Sequence, residues 1–139
     1  MTALATPHRL RTRFRALSSV LMVERIEPCL EFWVDRLGFE VRYEVPGDDH
    51  LEYVVLGQGD LEIMYRTLDS LHEETPGLVE DSDHQPWVVM YLQVDDLDEI
   101  LPVLDGLEVV VPLRETIVGN REVFIREPSG RIVALVSRD

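Results

Sequence analysis

The stretch Ser18-Ser19-Val20-Leu21-Met22-Val23-Glu24-Arg25-Ile26-Glu27-Pro28-Cys29-Leu30-Glu31-Phe32-Trp33-Val34-Asp35-Arg36-Leu37-Gly38-Phe39 carries two hydrophobic patterns in succession. Ser18 to Val23 is a short, mostly apolar run and reads as a buried strand. From Glu24 to Leu37 the spacing changes. Ile26, Leu30, Trp33, Val34 and Leu37 fall at i, i+4, i+7, i+8 and i+11, one apolar stripe on a helix. Pro28 sits near the start, where a missing N–H costs nothing, and Gly38 stands where a helix ends.

Working outward, Phe39 to Val45 reads as a second strand, followed by a turn at Pro46-Gly47-Asp48-Asp49. Leu51 to Leu56 and Asp60 to Tyr65 form a hairpin around Gly57-Gln58-Gly59. Thr67 to Gln85 then turns acidic, with Asp69, Glu73, Glu74, Glu80, Asp81 and Asp83, and reads as a solvated linker with one helical turn. The order then begins again. Trp87 to Val94 is a strand, Asp96 to Leu104 a short helix, and Glu108 to Val111 a strand. Thr116 to Val118 and Glu122 to Arg126 flank Gly119-Asn120, and Arg131 to Val136 closes the chain. Met22 to Ile26 matches Gln93 to Leu97 at an offset of 71, and the hairpin strand holding Glu62 matches the one holding Ala134 at 72. A repeat of this length predicts two similar βαβββ halves in an α+β fold. The expected organisation is a basic arm over 1–15 and one domain over 16–139. Within that domain, module one spans about 16–66, the linker about 67–86 and module two about 87–137.

Composition bounds the function. The 139 residues hold 45% apolar and 29% charged side chains, as soluble globular proteins do. Net charge is −14, and all 13 basic residues are arginine, which excludes lysine Schiff-base chemistry. Setting aside Arg9, Arg11, Arg13 and Arg15 leaves −18 on the rest, a body that repels phosphate backbones. Nucleic acid is therefore not the expected partner. No apolar run approaches the roughly 18 residues of a membrane span, and the arginine-rich start has no signal-peptide core. Neither a membrane nor secretion is expected, and a cytoplasmic location follows. Cys29 is the single cysteine, so no intrachain disulfide forms. Its neighbours Glu24, Glu27 and Glu31 would make a poor nucleophile of it. His8, His50, His72 and His84 lie off the expected core strands and read as solvated. No P-loop, dinucleotide fingerprint or nucleophile elbow is present.

Four stretches together resemble the vicinal oxygen chelate superfamily, which includes glyoxalase I, bleomycin-resistance proteins and extradiol dioxygenases. Val23-Glu24-Arg25 is similar to the V-x-D that opens its first helix. Glu31 to Glu40 is similar to F-Y-x-x-x-L-G-F, with Trp33 in place of the tyrosine. Tyr91 to Leu97 is similar to the second-module opening. Gly119-Asn120-Arg121-Glu122 with Glu127-Pro128-Ser129-Gly130 is similar to the closing G-x-R-E and D-P-x-G. The resemblance covers about residues 17–137. It implies a curved mixed sheet around a cavity, a homodimer, and a small molecule as ligand.

Metal-dependent members of the superfamily hold a divalent ion with about four His, Glu or Gln side chains. The resemblance puts those positions at Ser18, Glu62, Val89 and Ala134, and shifting the register by one residue does not restore a donor set. Divalent ions need several O or N donors, so no metal and no cofactor are expected. Without the ion, glyoxalase-type isomerisation and ring-cleaving oxygenation both lose their chemistry.

What the resemblance leaves is a binding cavity. Residues two apart share a face of a strand, which puts Glu62 with Met64, and Tyr91 with Gln93. The expected lining is Glu62, Met64, Met22, Tyr91, Gln93 and Trp87, suited to a flat aromatic or cationic ligand with Glu62 as polar anchor. The favoured expectation is a metal-independent binding protein resembling the antibiotic-sequestering branch. Two alternatives stand beside it: an enzyme of lyase, isomerase or dioxygenase type with Glu62 as base or an unidentified metal arrangement, and an interaction module that docks through the arginine-rich arm. Glu62 as a plain solvated strand residue beside a collapsed cavity is the fourth reading, and the sequence leaves open whether modules pair within a chain or between chains.

Overall fold

The computed structural model describes residues 11–12, 15, 17–74 and 88–138. Trp87 and the arm before residue 11 lie outside the described residues. Two four-stranded sheets have the same order. The first runs β1 (Val20–Val23), β4 (Leu61–Thr67), β3 (Leu51–Gln58), β2 (Glu40–Pro46). The second runs β5 (Val89–Gln93), β8 (Ile132–Ser137), β7 (Arg121–Arg126), β6 (Glu108–Glu115). In each sheet the first and last strands of the half pair in parallel and the others antiparallel. The repeat legible in the sequence is therefore a repeat of topology, and the class is α+β with two mixed sheets.

Pairing fixes which residues of the halves correspond. Met22 pairs with Arg66 and Gln93 with Val136, so the last strands match at an offset of 70, not the expected 72. Glu62 therefore corresponds to Ile132. Neither Ile132 nor Ala134 brings a donor atom.

The helices are shorter and less regular than the apolar spacing predicts. The first, α1 (Glu27–Leu30), starts at the turn containing Pro28 and continues as a wider π-helical stretch (Glu31–Arg36). Leu37 N–H donates to the Phe32 carbonyl at 3.1 Å, five residues back. The widened turn lets two neighbouring bulky residues, Phe32 and Trp33, both reach the core, where their rings meet edge-on at 5.1 Å. Gly38 ends the helix at φ +79, the left-handed conformation that glycine adopts without a Cβ clash. The linker stretch opens as a helix, α2 (Leu68–Glu74), docked by the buried Ser70 and Leu71. In the second half, Asp96 caps α3 (Leu97–Ile100) by accepting from Glu99 N–H at 3.4 Å, and Pro102 tightens the next residues into a 3₁₀ turn (Leu101–Leu104). Strand β6 runs four residues past the expected Val111, whereas Thr116 to Val118 form an exposed hairpin tip.

One core serves both sheets. Leu21, Val23, Val54, Leu56, Ile63 and Tyr65 line one face of the first sheet, and Val123, Ile125, Val133 and Leu135 one face of the second. Together with Ile26, Phe32, Trp33 and Leu97 they form a single buried cluster. Two polar clamps cross it. Trp33 Nε1 donates to the Tyr65 hydroxyl at 2.7 Å, and that hydroxyl donates to Glu127 Oε2 at 2.7 Å. The other oxygen of Glu127 accepts from the backbone N–H groups of Ser129 at 2.9 Å and Arg131 at 3.0 Å, and from the Ser129 hydroxyl. Burial and the neighbouring carboxylate push the Tyr65 phenol far above its ordinary range. Separately, Arg131 Nη2 donates to the Met22 carbonyl at 3.1 Å, and Arg36 Nη1 to the carbonyls of Val103 and Asp105 at 3.0 and 2.7 Å. The modules are thus tied by a buried carboxylate that is fully hydrogen-bonded, the condition under which burying it is tolerable.

Two outcomes follow. Tyr65→Phe keeps the ring but strips Trp33 of its acceptor and Glu127 of a donor. Urea unfolding should show a loss of about 2–4 kcal/mol, the cost of buried polar groups left unpaired; a loss below half a kilocalorie would mean the clamp contributes only packing. Cys29 is buried beneath the same clamp, and desolvation, with the Glu127 charge second, pushes its thiol up to about 12. At pH 8 it should resist a thiol reagent until the protein is unfolded. Because the folded thiol holds its proton above its ordinary value of 9.0, its contribution to stability falls as pH rises from about 9 towards 12.

Candidate functional site

Each sheet has a second face turned away from the shared core. Strand alternation and pairing give its residues directly, since paired neighbours share a face. On the first sheet they are Val20 and Met22, then Glu62, Met64 and Arg66, then Tyr53, Val55 and Gly57, with Tyr43 and Val45 at the edge. On the second they are Tyr91 and Gln93, then Ala134 and Val136, then Glu122 and Phe124, with Val111 and Arg114 at the edge. The structure thus brings Met22, Glu62 and Met64 together on one sheet, and Tyr91 and Gln93 on the other. The two groups lie on opposite sides of the common core, so the chain does not by itself close them into one pocket.

Glu62 is placed less centrally than an anchor would be. It lies near the β3–β4 hairpin, opposite Gly57, and its side chain is 42% exposed. Arg42 reaches across and donates to Glu62 Oε2 at 3.4 Å and to the Gly59 carbonyl at 2.8 Å. The guanidinium lies over Gly57, where a Cβ would come within 2.4 Å of it. Glycine is what leaves room for this crossing. Deeper in the sheet the lining is aromatic and sulfur-rich. The Tyr53 hydroxyl donates to Met64 Sδ at 3.1 Å, and the Tyr43 and Tyr53 rings meet edge-on at 6.1 Å. A depression of about 270 Å³ lies beside them, bordered by Arg66 and Ser70.

The second sheet holds the more deeply set charge. Glu122 is 6% exposed, in the middle of an otherwise apolar face. Its Oε2 accepts from Arg114 Nε at 2.9 Å and Nη2 at 2.8 Å, and its Oε1 from the Tyr91 hydroxyl at 3.5 Å. The Arg114 guanidinium also lies 5.9 Å from the centre of the Phe124 ring. Tyr91 itself is 51% exposed, with Gln93 beside it. A larger apolar groove, about 730 Å³, runs along Leu104, Leu107, Val109 and Leu113, but it sits on the core side of β6 and shares no residue with the face just described.

Sequence reasoning did not single out Glu122, Arg114, Tyr43 or Tyr53. Glu122 was legible within Gly119 to Glu122, and alternation could have put it on the outer face. Arg114 was not legible. Regular alternation from Val111 would set Leu113 opposite Glu122, and a bulge between Val111 and Arg114 substitutes the arginine. A matching bulge between Val41 and Tyr43 frees Arg42.

The positions that the family resemblance assigns to metal ligands are occupied by Ser18, Glu62, Val89 and Ala134. Valine and alanine have no donor atom, and the one carboxylate is bonded to an arginine. These residues do not fit a divalent ion, and among the described residues no three His, Cys, Asp or Glu side chains converge as a metal would require. Among the described residues, no helix is long and apolar enough to cross a membrane.

Comparison with known proteins agrees with this architecture. No curated protein sequence matches the chain. Solved structures do. The lactoylglutathione lyase from Agrobacterium tumefaciens is 16% identical with a TM-score of 0.68, over 91% of this chain and 95% of that one. A glyoxalase/bleomycin resistance protein/dioxygenase family enzyme from Burkholderia phytofirmans PsJN is 16% identical with a TM-score of 0.69, over 86% and 95%. TioX from Micromonospora sp. ML1 is 17% identical with a TM-score of 0.66, over 89% and 98%. At these identities the likeness establishes the fold alone. The sequence model of one family spans nearly the whole chain, residues 15–135, and with the doubled sheet topology it makes this protein a member of the Glyoxalase/Bleomycin resistance protein/Dioxygenase superfamily.

Proposed function

We propose that the chain is a metal-independent small-molecule binding protein that captures a flat aromatic ligand, one per site, as the antibiotic-sequestering branch of its superfamily does. The observation that carries this reading is the pairing of two facts on the outer faces: the ligand positions for a metal hold valine and alanine, while the surroundings hold Tyr43, Tyr53, Met22, Met64, Tyr91 and Phe124. Aromatic rings and thioethers are the side chains that grip planar molecules. The groove is made by two copies, the first sheet of one facing the second sheet of the other. Supporting this, Val20, Tyr43, Val89 and Tyr91 stand 43–58% exposed on faces that the shared core turns away from each other. An exposed apolar face of that extent is otherwise a liability. Glu62 and Gln93 act as rim polar groups, and the net charge of −14 draws basic compounds towards the groove.

A catalytic role for Glu62 has less support. Its carboxylate is open to water and bonded to Arg42, with nothing beside it to exclude solvent.

Light scattering should give twice the chain mass, and replacing Val89 and Tyr91 by charged residues should give single chains; a native monomer would overturn the paired groove. Calorimetry with bleomycin and with the planar dye acridine orange should detect stoichiometric binding of at least one of them, weakened about tenfold by Tyr91→Ala, the contribution of one aromatic contact. Elemental analysis of the purified protein should find metal well below one equivalent, and a chelator should leave binding unchanged. One tightly held equivalent of zinc or manganese would return the protein to the metal-dependent enzymes.

A further inference from the structure

The second sheet's outer face contains a built anion site, which deepens the capture reading and rests on it. We infer that Arg114, set in place by Glu122, binds a carboxylate or phosphate on the aromatic ligand, so that the molecule captured is a planar acid.

The argument begins with the bulge. An extra residue in an edge strand bends it and re-aims a side chain, and such irregularities gather beside functional sites. In β6 the bulge exchanges Leu113 for Arg114 opposite Glu122. The exchange brings two charges into a face whose other central members are Ala134, Val136 and Phe124, and leucine could have covered that face without them.

The guanidinium geometry then decides what the pair can do. A guanidinium has two edges that can each hold an anion, one formed by Nε and Nη2, the other by Nη1 and Nη2. Glu122 occupies the first, and through a single oxygen. Among the described residues Nη1 makes no hydrogen bond, and the Arg114 side chain is 56% exposed. The second edge therefore faces outward, held in one orientation by the carboxylate on one side and the Phe124 ring on the other. An arginine fixed in this way has already lost its rotamer freedom, so less binding energy is spent ordering it. The Tyr91 ring, half-exposed and bonded through its hydroxyl to Glu122, gives the ligand's flat body a wall next to the charge.

The opposing consideration is the net charge of −14, which repels an acid at a distance. Screening confines that repulsion to about 8 Å at physiological salt, and it acts on the rate of encounter more than on the fixed contact. Arg42 on the first sheet is no rival site, because its guanidinium is spent on Glu62 and the Gly59 carbonyl.

Calorimetry with three probes of one shape tests the inference: 2-naphthoate, 2-naphthamide and 2-naphthylmethylammonium, with inorganic phosphate as a fourth. The acid should bind about tenfold tighter than the amide, the gain from one charge-assisted bidentate contact. Competition by phosphate at millimolar concentration would point to a phosphate-bearing ligand, and its absence to a carboxylate. Arg114→Lys keeps the charge and loses the fork, so most of the preference should go. The double variant Arg114→Gln with Glu122→Gln leaves no buried charge unpaired, and it should bind acid and amide equally. Equal binding of acid and amide by the native protein, or a preference for the ammonium probe, would overturn the inference while leaving capture of aromatics standing. So would persistence of the acid preference in the double variant. Binding of none of the probes would count against capture itself.

Discussion

Each four-stranded sheet of this protein has one apolar face that its own short helix cannot cover. A sheet face of that size must be buried against something. Here the something is the other sheet's helix-bearing face, so Trp33, Tyr65, Val123 and Leu135 end in one core. The rest follows from that sharing. With one face of each sheet spent on the core, the opposite faces point outward on different sides of the chain. Whatever they bind must be enclosed by something more than this one chain's two sheets.

The clamp at Glu127 belongs to the same constraint. A carboxylate that is 1% exposed is costly unless every lone pair is used. Tyr65 from the first module and backbone groups of the closing turn use them. The polar network fixes how one module sits on the other more tightly than apolar contacts alone, because its hydrogen bonds fail if the modules slide. It also explains why Cys29 is inert. The thiol shares the dry interior with the Glu127 charge, and both oppose its ionisation.

On the outer faces the chemistry is set by edge strands. Bulges in β2 and β6 each release an arginine onto a glutamate, Arg42 onto Glu62 and Arg114 onto Glu122. The two pairs differ in depth. Glu62 is near a hairpin and open to water, whereas Glu122 is sunk among apolar neighbours, where electrostatic contacts are stronger. A metal would have needed donors where valine and alanine stand, and the superfamily's fold hosts binding as readily as catalysis.

The sequence by itself determined the repeated strand and helix order, the α+β class and the poverty of metal donors, because these depend on local period and residue type. It also named Met22, Glu62, Met64, Tyr91 and Gln93 as facing residues, since alternation within a strand is a local rule. Tertiary structure alone decided the rest. The widened helix at Phe32 and Trp33, the offset of 70 between the last strands, and the arrival of Arg114 beside Glu122 all arise from pairing between distant segments. A bulge moves a side chain from one face to the other without leaving a mark in the hydrophobic pattern. Which faces meet in the core, and so which remain to bind, is likewise a property of packing and not of any single stretch of chain.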